Sequence, residues 1–108
     1  MNKKYKVIWT NIAEYDLDEI FDYISIDSQR NALLILSKIR AKCDTLKYHP
    51  FRCRIIPELK EINILSYRDL ILTPYRIMFK VERNIVYILG VFDCRRDLEE
   101  ILIDRIIR

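Results

Sequence analysis

Four arginines are the residues best suited to chemistry: Arg68, Arg76, Arg95 and Arg96. A guanidinium offers a planar fork of donors that matches a phosphate or a carboxylate. Arg68 and Arg76 lie in two successive alternating segments, so each side chain projects from a sheet. Arg95 and Arg96 directly follow a third such segment, near the start of a last helix. Four guanidiniums in one region read as a target-binding patch. The structural alternative is ordinary ion pairing with Asp69, Asp93 and Asp97.

Other chemistries lack their residues. One glycine cannot build G-x-x-x-x-G-K-[ST] or G-x-G-x-x-G, and no G-x-S-x-G occurs. With one histidine and no C-x-x-C, no metal site is expected, and no cofactor either. Cys43, Cys53 and Cys94 are an odd count, which argues against a disulfide framework. Cys43 falls on an apolar helical stripe and reads as core. His49, beside Pro50, reads as a loop residue, and Tyr75 as packing. A glycosidase pair of carboxylates is disfavoured by small size without a cleft-forming insertion.

The elements that must position the arginines follow from periodicity. Tyr5 to Trp9 alternates as a strand. Thr10 is the expected N-cap of a helix running to about Ile26, with Ala13, Leu17, Ile20, Phe21 and Ile24 on one stripe. Ser28 caps a second helix, whose stripe is Ala32, Ile35, Leu36, Ile39, Cys43 and Leu46. Pro50 excludes His49 from the helix, which should stop near Tyr48. Residues 49 to 66 read as an irregular surface loop. Three strands follow: Tyr67 to Thr73, Tyr75 to Val81, and Ile85 to Phe92. Pro74 marks the first turn. Glu82-Arg83-Asn84 marks the second, with Asn84 as the residue suited to positive φ. The third strand is apolar on both faces and should be central. A helix from about Arg95 or Leu98 to Ile107 ends the chain, with Asp97 and Glu100 resembling a capping box. The expected fold is α+β, in the order β-α-α-β-β-β-α. An antiparallel meander sheet packs against the helical hairpin, all within one domain over residues 1–108.

Composition sets the class. The chain has 108 residues, 51% of them hydrophobic, with net charge +3 and a pI near 8.8. Such a balance permits an acidic partner without demanding one. Glu14 to Asp27 holds six acids and no base, whereas Lys38 to Lys60 holds seven bases and two acids. These runs read as helix faces attracting each other across the hairpin. The first ten residues carry no signal-like apolar stretch, and Ile85 to Phe92 is too short to span a bilayer. A cytoplasmic protein with no membrane association is expected.

Several motifs in order carry a resemblance: Tyr67-Arg68-Asp69-Leu70, Pro74-Tyr75-Arg76-Ile77-Met78-Phe79, Val86-Tyr87-Ile88-Leu89-Gly90-Val91 and Arg95-Arg96-Asp97-Leu98. Together they resemble the C-terminal half of the RelE/ParE toxin superfamily. The early Trp9-Thr10 before an acid-rich helix, and His49-Pro50 after the second helix, match in kind. The resemblance spans nearly the whole chain and implies the same β-α-α-β-β-β-α order. It also implies a toxin held by a cognate antitoxin, whose C-terminal part would wrap the domain as helix and extended strand.

The superfamily divides by target. RelE-like members cut messenger RNA on the ribosome, whereas ParE-like members poison DNA gyrase. By resemblance, Arg76 and Arg95 stand where RelE-like enzymes carry phosphate-binding arginines, and Asp93 stands where many carry histidine. RelE-like catalysis would use those three residues. RNA cleavage also needs a proton donor and acceptor, and the segment Arg96 to Arg108 has neither tyrosine nor histidine. That lack, the Arg-Arg-Asp-Leu ending and the long helical hairpin favour the ParE-like reading. A non-toxic binding relative is the remaining alternative.

Overall fold

The computed structural model describes residues 4–94 and 98–107. Strand β1 (Lys6–Trp9) leads into α1 (Asn11–Ser25) and α2 (Gln29–Asp44). Thr10 caps α1 by accepting the Ala13 N–H, and Ser28 caps α2 by accepting the Asn31 N–H. Helix α2 ends at Asp44, and a 3₁₀ turn over Thr45–Lys47 carries the chain to Tyr48. His49 then takes a left-handed φ of 51°, and Pro50 opens a second 3₁₀ turn. A short helix, α3 (Pro57–Lys60), precedes β2 (Arg68–Leu72), β3 (Tyr75–Glu82), β4 (Ile85–Asp93) and α4 (Leu98–Ile107).

The sheet order is β1-β4-β3-β2. The meander β2-β3-β4 is antiparallel, but β1 pairs parallel to β4, so the sheet is mixed. The helical hairpin returns the chain to the far side of β4, and a parallel pair needs such a long crossover. Strand β4 is central, as its two apolar faces imply. At the β3–β4 turn the positive φ falls on Arg83, at 56°, and not on Asn84.

Each face of the sheet has its own core. On one side the hairpin brings Ala13, Leu17, Ile39, Cys43 and Leu46 onto Leu70, Ile77, Phe79, Val86, Ile88 and Val91. On the other, Ile56 and Leu59 meet Met78, Phe92 and Leu102. The second core corrects the expectation for residues 49–66. That stretch is no simple surface loop, because Ile56 and Leu59 are fully buried. Its backbone also extends the sheet: the Ile56 N–H donates to the Tyr67 carbonyl, and the Asp69 N–H donates to the Arg54 carbonyl. Alternation failed as a guide here because prolines interrupt a segment whose inward residues are few.

A bulge in β4 sets which residues face which core. Phe79 pairs with Ile88 and Met78 with Gly90, leaving Leu89 without a partner on β3. The extra residue shifts the alternation by one. Val91 thereby joins the hairpin-side core, while Phe92 turns to the α4 side.

Candidate functional site

The structure does not bring Arg68 and Arg76 together. In the β2–β3 register Arg68 lies opposite Phe79, and Arg76 lies opposite Ile71, so the two side chains leave opposite faces of the sheet. Arg68 donates to the Phe51 and Cys53 carbonyls and stacks over the Phe51 ring at 5.1 Å. Arg76 is committed more deeply. Its Nε lies 2.9 Å and its Nη2 2.7 Å from Asp69 Oδ2. Nη1 and Nη2 also fork onto Glu58, at 2.6 and 2.8 Å. The Arg76 side chain is 11% exposed, and that of Asp69 is 1% exposed. Arg54 closes the cluster from outside with a second fork onto Asp69, at 2.8 and 3.2 Å.

Two guanidiniums and two carboxylates leave this cluster neutral. Arg76 holds the Glu58 carboxyl down to about 2, well below the usual carboxylate range. Glu58 and Asp69 in turn raise the pKa of Arg76. A phosphate would have to displace both carboxylates before it met this guanidinium. The cluster therefore acts as a clamp that ties residues 54–58 to the sheet. Arg68 does the same for residues 51–53 through their carbonyls.

Asp93 lies apart from that clamp. It pairs in register with Tyr75, on the hairpin side, whereas Phe92 pairs with Arg76 on the α4 side. Arg76 and Asp93 therefore do not face a common substrate position. Arg95, Arg96 and the capping-box residue Asp97 lie outside the described residues. The buried Cys43 thiol is pushed up to about 12 by its surroundings, and partial burial also raises Cys53. Neither is an activated nucleophile. Among the described residues, no group of three or more His, Cys, Asp or Glu is placed to hold a metal. No helix among the described residues is long and apolar enough to cross a membrane.

A concave feature lies where β1 ends and β4 continues. Thr10 makes the last contact of the first strand, its N–H and hydroxyl both donating to the Ile88 carbonyl. Beyond it the edge of β4 is served by side chains. Asp16 of α1 accepts the Val91 N–H at 3.1 Å, and Arg105 of α4 donates to the Leu89 carbonyl at 3.0 Å. Asp16 and Arg105 bridge each other at 3.0 Å. One ion pair thus does the work of a missing strand and links the two helical layers around the sheet edge. The Arg105 guanidinium also lies over the Phe92 ring at 5.0 Å. Beside this bridge runs a groove of about 810 Å³, lined by Ile12, Tyr15, Glu19, Tyr23, Tyr75 and Asp93 among others.

Sequence reasoning did not single out Asp16, Arg105 or the outward tyrosines of α1. Asp16 is one of five acids on that helix, and its partners lie 75 and 89 residues away. A signal for the tyrosines did exist. Ile12, Tyr15, Tyr23 and Ile26 form a second stripe at i, i+3, i+11 and i+14, beside the inward one.

The family model for the ParE toxin of the type II toxin–antitoxin system parDE matches residues 7–98. The chain belongs to the ParE toxin family. This ParE membership spans both the helical hairpin and the entire meander. A solved structure described as the chromosomal ParDE TA system from P. aeruginosa shares the fold, with a TM-score of 0.70 at 23% identity. The likeness covers 84% of this chain and 97% of that one. No curated protein matches the sequence. The helical hairpin on a four-stranded sheet is thus a ParE-type scaffold, and Arg68 and Arg76 serve it as clamps.

Proposed function

We propose that this chain is a growth-inhibiting toxin that acts by binding, with DNA gyrase as its target and a cognate antitoxin as its restraint. Family membership supports the toxin reading, and the ParDE description of the structural neighbour supports an antitoxin partner. The observation that carries binding over cleavage is the saturation of Arg76 by Asp69 and Glu58. An RNase on this scaffold would need that arginine at the phosphate. It would also need an acid or base worth about 10²–10⁴ in rate, and Asp93 faces away from Arg76. Arg95 and Arg96 then become the target-binding arginines of this reading.

Induced expression with separate readouts of supercoiling and transcript cleavage tests the proposal. The expected result is inhibited supercoiling with intact transcripts. Codon-phased cuts on ribosomes, lost in Arg76→Ala at unchanged stability, would overturn it in favour of messenger-RNA cleavage. Arg95→Ala and Arg96→Ala should abolish growth inhibition and leave the melting temperature close to that of wild type. Parallel loss of both properties would mark them as structural ion pairs.

A further inference from the structure

We propose that the part of the sheet face left bare by α4 binds single-stranded DNA, with bases stacked on Tyr67 and Tyr87; the choice of DNA rests on the gyrase reading above. The strand registers place four residues in one transverse row. Ile8 of β1 pairs with Tyr87 of β4, and Tyr87 pairs with Lys80 of β3. The β2–β3 register, continued by one residue from Arg68 and Phe79, sets Tyr67 opposite Lys80. All four side chains leave the face turned away from the helical hairpin, because their neighbours Val7, Phe79, Val86 and Ile88 pack in the hairpin-side core. Helix α4 covers this same face farther along, through Leu102 onto Met78 and Phe92. Tyr67 borders that second core, whereas Ile8 and Tyr87 belong to neither. All four residues of the row are half-buried.

The chemistry of the row selects a chain of bases and phosphates. Tyr67 and Tyr87 stand two strand spacings apart, about 10 Å. Lys80 sits between them, its Nζ 6.0 Å from the centre of the Tyr87 ring. Two aromatic rings with a cation between them match two bases and the phosphate that joins them. Lys80 pairs with Glu82 at 2.8 Å, and the Glu82 side chain is 58% exposed. A surface pair of that kind is weak and opens easily, unlike the buried forks that saturate Arg76. Lys6, one row along on the same face, adds a second cation beside Ile85. Between the row and α4 the surface is hollowed by about 210 Å³, with Tyr67 and Lys80 on one side and Arg105 and Ile106 on the other. A duplex hides its base faces, so the platform suits a single strand. An acidic protein segment would answer Lys6 and Lys80 but leave both tyrosine rings without a stacking partner.

The test titrates this chain into a fluorescein-labelled DNA strand of about 12 nucleotides, within the usual range of single-strand sites. Its duplex and the RNA strand of the same sequence are titrated in parallel, each over a range of salt, with fluorescence anisotropy as the readout. The single DNA strand should bind best. Tyr87→Ala should weaken it about 5- to 150-fold, the loss of one stacked base. Tyr87→Phe keeps the ring and should stay within about twofold of wild type. Lys80→Gln should lower the salt slope by about 0.7, one phosphate contact on a single strand. Thermal melting followed by circular dichroism checks that each variant folds, and Tyr23→Ala, on the hairpin, is the control and should bind as wild type does. Failure of wild type to bind the single strand, or tighter binding to the duplex, overturns this inference and leaves the gyrase reading standing. So does unchanged affinity in Tyr87→Ala, an equal loss in Tyr87→Phe, or an unchanged salt slope in Lys80→Gln. Tighter binding to the RNA strand overturns the choice of DNA and counts against gyrase as the target.

Discussion

Arg76 shows how one side chain can look like a binding residue and be a structural one. It lies in a sheet, carries a guanidinium and matches a functional position by resemblance, yet every nitrogen is occupied by Asp69 or Glu58. Removing one member of a buried ionic cluster costs about 3–5 kcal/mol, because the remaining charges lose their partner. Arg76→Ala should therefore lower unfolding stability by that amount, read as a shift in urea midpoint. Arg68→Ala should cost less, since its partners are carbonyls at a partly exposed site. Gly90 is the other decisive residue. A Cβ there would lie 2.7 Å from the Phe92 ring and 2.9 Å from the Arg105 guanidinium. Gly90→Ala should destabilise by about 1–3 kcal/mol, typical of overpacking, and pairing it with Phe92→Leu should restore part of the loss. The face that Arg76 occupies was legible from alternation in β3. Asp69 was open to the sequence as an ion-pair partner; Glu58 was not, because it lies 18 residues away in a segment without periodicity. Gly90 was visible as a lone glycine inside an apolar strand, a common mark of a bulge, but the sequence does not say what crosses over it.

At the scale of elements, the helices, the meander and their order were readable from stripes and alternation. The segment between α2 and β2 was not. Its attachment combines two buried residues, Ile56 and Leu59, with side-chain bonds from Arg54, Arg68 and Arg76. Glu58 makes that attachment sensitive to acid. Its folded pKa of about 2 lies below the ordinary value of 4.5. The ion pair's contribution is thus complete above the ordinary value and is lost as pH falls through the folded one. Stability should drop as pH falls from about 4.5 to 2, and Glu58→Gln should flatten that part of the profile while lowering stability at neutral pH. Denaturation followed by circular dichroism across that window checks it; an unchanged slope in Glu58→Gln would place the acid sensitivity elsewhere. The two charge runs also resolve at this scale. Arg40 forks onto Glu14 across the hairpin, as the alternating signs implied, and lies over the Trp9 ring at 4.5 Å. Asp16 turns in to the β4 edge, whereas Asp18, Glu19, Asp22 and Asp27 are exposed; the sequence could not tell these roles apart.

For the whole molecule, a central sheet with helices on both sides makes two cores depend on one strand. Val86, Ile88 and Val91 of β4 serve the hairpin side, and Phe92 serves the α4 side. The sequence announced a central strand by its apolar faces, but the parallel partner at its edge came from topology, since strand pairing has no local signature. That pairing joins Lys6 to Ile85 and Trp9 to Ile88. Its consequence is temporal. At a synthesis rate of about 5–20 residues per second, the first strand waits roughly 4–16 s for the strand it pairs with. Until then the hairpin has only β2 and β3 to cover, and the bridge from Asp16 to Arg105 has neither its amide nor its cation. A chain stopped short of β4 cannot assemble either core, so the toxin scaffold exists only once nearly the whole chain has been made.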